Sequence, residues 1–485
     1  MPQFSSTELA SMGRHIPTPF NISVETEQGV VDLKIDSLLR TVPGKRLVAL
    51  STWNDRVVIV KIFINRNRWK RTMLRDIAGI NKLRQAGIPT PNLLLQTTAE
   101  DNNAGVLVIE YLRQGASLAA LFEEASSDED KAEVLEMGVK AIADCHSAGL
   151  WQSDVHLDNF MLAAGVVYVL DGAGIKDGGM SRGQALDTPT RLSNFALFLA
   201  QFPVEEDENW PLLLELYKLQ APELKDSDTR EFANLLGKSR RKRLNSFESK
   251  LTRSTTANRC EQGSNFFYVY DRSIHSEELD RFLADPDSFI DEQQLLKDGN
   301  SSTVALVQLD ERKYVLKRYN IKSFWHGISR AFRPSRAYNS WRNASVLEML
   351  GVATAHPYLF LEERVLWIFR RRAYFLCEYL EGKDLGSQWE VQQQDIDERE
   401  IIALFRKLFR ILADYRISHG DMKATNFLVK DGKLNVLDLD AMERSKTKAK
   451  FVEKYRKDMM RFRKNWVGTS LEPEVEKLLI EAAEY

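Results

Sequence analysis

The stretch His419-Gly420-Asp421-Met422-Lys423-Ala424-Thr425-Asn426, followed by the apolar run Leu434 to Leu437 and then Asp438, sets four reactive side chains at fixed spacing. Asp421 can accept a hydroxyl proton, Lys423 can neutralise a transferring phosphoryl group, and Asn426 with Asp438 can hold magnesium. Phosphoryl transfer asks a protein mainly for positioning and charge stabilisation, which is what this set supplies. A D-x-x-x-x-N spacing alone is common by chance, but this chain carries it twice. Asp154, Asn159 and Asp171 stand in the same order, with the strand-like run Val166 to Leu170 before the last carboxylate. Asp154 to Asp421, Asn159 to Asn426 and Asp171 to Asp438 are each 267 positions apart. Three equal offsets across one constellation argue for an internal repeat.

Elements that could position these groups also recur. Arg46 to Leu50 and Val57 to Phe63 read as strands, joined at the turn signal Asn54-Asp55. Lys61 stands inside the second run, where an ammonium needs an anionic partner. It could instead be an edge-strand lysine that carries its charge outward. Trp69 to Ala86 predicts a helix with Met73, Ile77, Ile80 and Leu83 on one face, ending at Gly87. Asp76 on that helix is either the partner of the lysine or a solvent-facing charge. After Pro89 and Pro91 come the run Val106 to Leu112, a helix from Lys131 to Ser147 and, past the first loop, helical spacing from Leu192 to Leu219. The second half restarts with Thr303 to Val307 and Lys313 to Lys317, then a helix ending at Leu350-Gly351, the run Phe375 to Leu380, and a helix from Glu400 to Arg416. Glu110 and Glu378 are 268 apart, and Lys61 and Lys317 are 256 apart, because a basic and aromatic insertion follows the second lysine.

The two loops resemble the H-x-D-x-K-x-x-N loop and metal-binding Asp of the protein kinase-like superfamily, and Lys61 and Lys317 resemble its strand lysine. That resemblance implies an α+β chain of two tandem protein kinase-like domains, 1–255 and 256–485, each with a small β-rich N-lobe and a larger helical C-lobe. It implies ATP phosphates on Lys61 and Lys317, with Asp76 orienting the first lysine. Glu110 and Glu378 fall on the runs that would meet the adenine. It implies Mg²⁺ on Asn159 with Asp171 and on Asn426 with Asp438. Asp154 and Asp421 take the catalytic positions, Lys423 beside the second, and His156 the place of that lysine in the first copy. The chain departs from the pattern at several points. Neither copy has a full G-x-G-x-x-G loop, though Gly44 and Gly299 lie 17 and 18 residues before the lysines. Asp76 is one methylene shorter than the usual Glu, which implies a looser or water-mediated clamp. Gln152-Ser153 replaces the His before Asp154. Ser340 aligns with Asp76, and Asp440 is an extra carboxylate that could join the metal or face solvent.

From about Arg40 to Trp466 the chain resembles the lipopolysaccharide core kinases, the Kdo and heptose kinases of Gram-negative bacteria. The features shared are the strand lysines, Gly87-Ile88-Pro89-Thr90-Pro91, both loops, and Tyr338 to Ala344 before Leu350-Gly351-Val352. Most members of that group have one domain, so a tandem form is a departure. The resemblance implies ATP-dependent phosphorylation of a heptose or Kdo hydroxyl in the lipopolysaccharide inner core. A protein or small-molecule kinase, or a tandem kinase with one regulatory pseudokinase domain, is the alternative.

Composition bounds these expectations. The chain has 485 residues, 44% apolar and 28% charged, with a formal net charge of -2, so no global field favours nucleic acid. Cys145, Cys260 and Cys377 are odd in number and widely spaced, as in a reduced cytoplasmic protein. The N-terminal stretch lacks the apolar core of a signal peptide, and no run is long enough for a membrane span. A soluble cytoplasmic protein is expected. Its basic segments, 238–253 and 322–342, could dock an anionic glycolipid as peripheral contacts at the inner-membrane surface.

Overall fold

A computed structural model of the chain describes residues 1–178, 184–202, 210–225, 227–291, 295–299, 302–320, 334–365, 369–390 and 397–483. These divide into two units, Met1–Gln201 with Glu208–Ser239, and Phe202–Asp207 with Arg240–Tyr485. Each unit combines an antiparallel sheet with a set of helices, so the expected α+β class holds for both.

In the first unit, strands β1 (Phe20–Thr26), β2 (Gly29–Val42), β3 (Arg46–Trp53), β4 (Arg56–Phe63), β5 (Leu93–Thr98) and β6 (Gly105–Glu110) form one sheet in the order β1-β2-β3-β4-β6-β5. Asn54 and Asp55 both take positive φ between β3 and β4, the backbone of a tight two-residue hairpin. Two-residue alternation sends Val58, Val60 and Ile62 into one core with Leu47 and Ala49. Ile59, Lys61 and Phe63 therefore face the other way, toward helix α1 (Trp69–Gln85). Strand β4 lies between β3 and β6, so Lys61 is on a central strand and the outward-pointing alternative fails. Helix α1 ends one residue before its expected limit, and Gly87 beyond it takes φ +72°.

Helix α1 then meets the turn that follows Asp171. Gly79 and Gly172 touch backbone to backbone: a Cβ on Gly79 would overlap the Gly172 carbonyl oxygen, and one on Gly172 would overlap the Asp76 carbonyl. Only residues without side chains allow that approach. Around the lower loop, helices α2 (Asp128–Ser147), α3 (Thr188–Leu199) and α4 (Trp210–Gln220) share a buried polar knot. His146 Nδ1 lies 2.6 Å from the Tyr217 hydroxyl and Nε2 lies 3.0 Å from Asn194 Oδ1, and burial holds the imidazole down at about 4, neutral. Asn194 Nδ2 donates to the Gln152 carbonyl at 2.8 Å, tying this knot to the loop that carries Asp154. Helix α5 (Ser227–Glu248) carries most of the basic run 238–253, and buries Phe232, Leu236 and Leu244 along one side. The division between units falls within it, since Leu244 belongs to the second core.

The main sheet of the second unit has, among the described residues, seven strands: β7 (Asn258–Gln262), β8 (Phe266–Asp271), β9 (Leu295–Gly299), β10 (Ser302–Leu309), β11 (Arg312–Tyr319), β12 (Pro357–Val365) and β13 (Phe369–Glu378), in the order β7-β8-β12-β13-β11-β10-β9. Helix α6 (Arg336–Met349) packs on this sheet with Ala337, Trp341 and Ala344 buried. Of the expected basic and aromatic docking segment, residues 321–333 lie outside the described residues. Its described end does something else: Trp341 is core, 1% exposed, and Arg336 turns toward Asp440. Helix α7 (Glu398–Asp414) is strongly amphipathic and sets Phe405 and Phe409 against Phe462 and Trp466 at the end of helix α8 (Lys448–Arg463). Among the described residues no helix is long and apolar enough to cross a membrane.

Because overpacking a rigid backbone contact costs about 1–3 kcal/mol or more, Gly79→Ala is expected to lower unfolding free energy by at least ~2 kcal/mol. Denaturant unfolding would show it, and a variant as stable as wild type would refute the close approach.

Candidate active site

The loop after α7 is held from beneath. Asp458 on α8 accepts the backbone N–H groups of His419 at 2.6 Å and Gly420 at 2.9 Å. Gly420 takes φ +87°, and a Cβ there would stand 2.9 Å from the Ala441 carbonyl. The His419 ring is buried beside the Leu437 carbonyl, 3.1 Å away, and burial pushes its pKa down. These contacts fix Asp421, whose side chain is 30% exposed, with Lys423 Nζ at 2.6 Å and Arg461 Nε at 3.9 Å. Arg461 is steadied by Asn465, and Asn465 in turn donates to the Met422 carbonyl at 2.8 Å.

Asn426 Nδ2 donates to the Asp421 carbonyl at 2.8 Å, and the Leu437 N–H donates to the Asn426 carbonyl at 2.8 Å. That pair of bonds delivers Asp438, in left-handed backbone conformation, beside Asn426. Lys317 on β11 reaches Asp438 at 2.9 Å. Burial alone would disfavour the charged lysine, but Tyr319 and Asp438 hold its pKa above the ordinary lysine range. Burial likewise opposes ionisation of Asp438, and the neighbouring Lys317 outweighs it and draws the carboxyl below its usual range. Asp440 does not face solvent: Arg336 Nε donates to it at 2.9 Å, while burial and Asp438 hold its pKa up. Ser340, as expected, supplies no acid; its hydroxyl lies 3.0 Å from that of Tyr319. Glu348 is spent on His356 at 2.7 Å. Asn343 on α6 instead grips the turn, donating to the Leu439 and Met442 carbonyls at 2.8 Å each. Lys317, Ser340, Asn426, Asp438 and Asp440 border a cleft of about 550 Å³, with Cys377 at its wall, a buried thiol pushed up to about 12 and hence unreactive.

The first unit builds the same local frame with different charges. Asn159 Nδ2 donates to the Asp154 carbonyl at 2.6 Å, the Leu170 N–H donates to the Asn159 carbonyl at 2.8 Å, and Asp171 is left-handed. Lys61 meets Asp76 directly at 2.9 Å. The shorter acid does not loosen the clamp, which closes by direct contact. Asp76 is fully buried. Asp154 differs from its counterpart: its side chain is 86% exposed, with His156 Nε2 at 3.8 Å. Glu110 and Glu378 both sit at their clefts, but their carboxylates turn back to Asn92 at 2.6 Å and to the His356 amide at 3.4 Å. The cleft of the first unit measures about 300 Å³.

Among the described residues no three His, Cys, Asp or Glu side chains cluster as a metal site. Each loop offers one amide and one carboxylate. Magnesium commonly takes that few protein ligands and draws the rest from phosphates and water. Asp171 Oδ1 is buried with no hydrogen-bond partner and has Arg46 Nη1 at 3.7 Å; Asp438 carries Lys317 at 2.9 Å.

Sequence reasoning overlooked Asp458, Arg46, Asn343, Arg461 and Asn465. Asp458 had a signal: it shares a helical face with Phe451, Tyr455 and Phe462, all buried, where an acid needs a reason.

Residues 280–474, wholly within the second unit, match the lipopolysaccharide kinase (Kdo/WaaP) family. The matched span holds Lys317, Asp421, Lys423, Asn426 and Asp438, and the chain is a kinase. Among solved structures, WaaP in complex with acyl carrier protein is similar at 18% identity and a TM-score of 0.31, over 39% of this chain and 77% of that one. No curated protein matches the chain.

Burial pushes Asp458 up to about 6, against the two amide bonds that favour its ionised form. A carboxyl with a higher pKa folded than unfolded stabilises most below its unfolded pKa, and this is lost as pH rises through about 6. Relative to Asp458→Asn, wild type should therefore gain unfolding free energy as pH falls from about 7 to about 4. Denaturant midpoints whose difference ignores pH would contradict this.

Proposed function

We propose that the chain is an ATP- and magnesium-dependent phosphotransferase acting on a heptose or Kdo hydroxyl of the lipopolysaccharide inner core. The observation that carries this reading is the family match over 280–474, which spans the whole Lys317, Asp421, Asn426 and Asp438 constellation. The reading takes the two halves of the chain, 1–255 and 256–485, as kinase-like domains with a nucleotide site each. It places transfer in the second. Its acceptor is the core glycolipid or a precursor, met at the cytoplasmic face of the inner membrane, with no nucleic acid involved.

In the second unit Lys317 would hold the ATP phosphates, and Asn426 with Asp438 would hold the magnesium, which would supply charge that neutralises the phosphates. Lys317 is paired with Asp438, so phosphate oxygens compete for the lysine as they arrive. Asp421 orients the acceptor hydroxyl and takes its proton late, as a loose transition state requires. Lys423 stabilises the transferring group. Arg461 adds positive charge on the opposite side of the Asp421 carboxylate. In the first unit Lys61 with Asp76 holds phosphates, and Glu110, like Glu378, borders the adenine. Asn159 and Asp171 stand at the metal position, and Asp154 and His156 at the transfer position. A second reading, with the first unit regulatory, is favoured by the exposure of Asp154 and its lack of a cation as close as Lys423.

Removing a positioned base typically costs about 10²- to 10⁴-fold, and Asp421→Ala is expected to lose that much transfer from radiolabelled ATP to purified core glycolipid. Loss in Asp154→Ala with Asp421→Ala still active would instead place transfer in the first unit.

A further inference from the structure

Arg46 opens β3 opposite Phe63, two residues beyond Lys61. Ser302 opens β10 opposite Tyr319, two residues beyond Lys317. By register within each sheet the two positions correspond, so one cleft carries a guanidinium where the other carries a hydroxyl. Arg46 Nη1 lies 3.7 Å from Asp171 Oδ1 and 3.9 Å from Asp76 Oδ2, with its side chain 21% exposed. It attracts both carboxylates yet donates to neither Asp171 Oδ1 nor Asp76 Oδ1, which are left without hydrogen-bond partners.

That placement conflicts with a divalent ion on Asp171. The ion would share the carboxylate with a fixed positive charge, in a half-buried site where like charges are poorly screened. In the second unit Ser302 adds no charge, Arg336 is drawn off by Asp440, and the cation on Asp438 is Lys317, which in the proposed reading turns to the arriving phosphates. At the position of Asp440 the first unit has Ala173.

We infer that the first unit holds a nucleoside triphosphate without a divalent ion, Arg46 supplying the neutralising charge. This rests on the reading of a nucleotide site in each unit. A guanidinium is well matched to that role, since it stays charged and presents a planar fork of donors to phosphate oxygens. The same hairpin brings Arg40 to the cleft and has Lys45 in its turn. The five donors of Arg46 can span from the phosphates to the free oxygen of Asp171, which gives that orphaned acceptor a partner once nucleotide is seated.

The test is ATP binding to the full chain by calorimetry, in EDTA and in magnesium. Binding in EDTA is expected to persist in Lys317→Ala and vanish in Lys61→Ala. Arg46→Ser should weaken EDTA binding at least tenfold and regain affinity when magnesium is added, while Arg46→Lys, which keeps the charge, should retain part of it. The inference is overturned if Lys317→Ala binds ATP only with magnesium, or if Arg46→Ser binds in EDTA like wild type. If Lys317→Ala binds no ATP under either condition, the reading of a site in the first unit falls, and this inference falls with it.

Discussion

A largely buried lysine on a central strand is stable only beside an anion, and both clefts are organised around meeting that demand. Lys61 finds Asp76 and Lys317 finds Asp438, each at 2.9 Å. Everything around each pair serves to bring the carboxylate to the lysine. In the first unit that means pressing a helix backbone onto the turn after Asp171, which Gly79 and Gly172 permit. In the second it means clamping the turn after Asp438 with Asn343 and supporting the loop before it with Asp458. An unpaired lysine at either place would carry the full desolvation cost of its charge.

The two solutions have chemical consequences. With the acid on the helix, Asp171 is left with a bare oxygen, and Arg46 leans toward it. With the acid on the turn after the loop, the helix needs only Ser340, and the surplus carboxylate Asp440 is neutralised by Arg336. Each cleft thus balances two cations against two carboxylates, but the pairing differs. Exposure of the two loop aspartates differs too. Asp421 is enclosed by Lys423 and Arg461, and Asp154 is open to water.

Much of this was legible in the sequence because it is local. The hairpin at Asn54-Asp55, the helix from Trp69 and both loops follow from turn residues and from two- and 3.6-residue spacing. The equal offsets between Asp154, Asn159, Asp171 and their counterparts marked the constellation twice. What local pattern does not carry is which strand is central and which distant group faces a side chain. Lys61 could be read as an edge residue until β6 was seen to pair beyond it. Asp440 could be read as metal ligand or solvent charge, since its partner Arg336 lies 104 positions away. Trp341 was grouped with a docking segment because its aromatic character stood out more than its place on the buried face of a helix. Asp458 went unnoticed inside a helix dominated by lysine and arginine, although its register with Phe451, Tyr455 and Phe462 marks it as inward-facing.

Two working phosphate grips, one in each unit, are the central claim, as against one site and a relic. Equilibrium dialysis of radiolabelled ATP against the full chain, with ATP in excess over magnesium so that free and metal-bound nucleotide are both present, counts those grips directly. Two sites per chain are predicted, and saturation at one would contradict the claim.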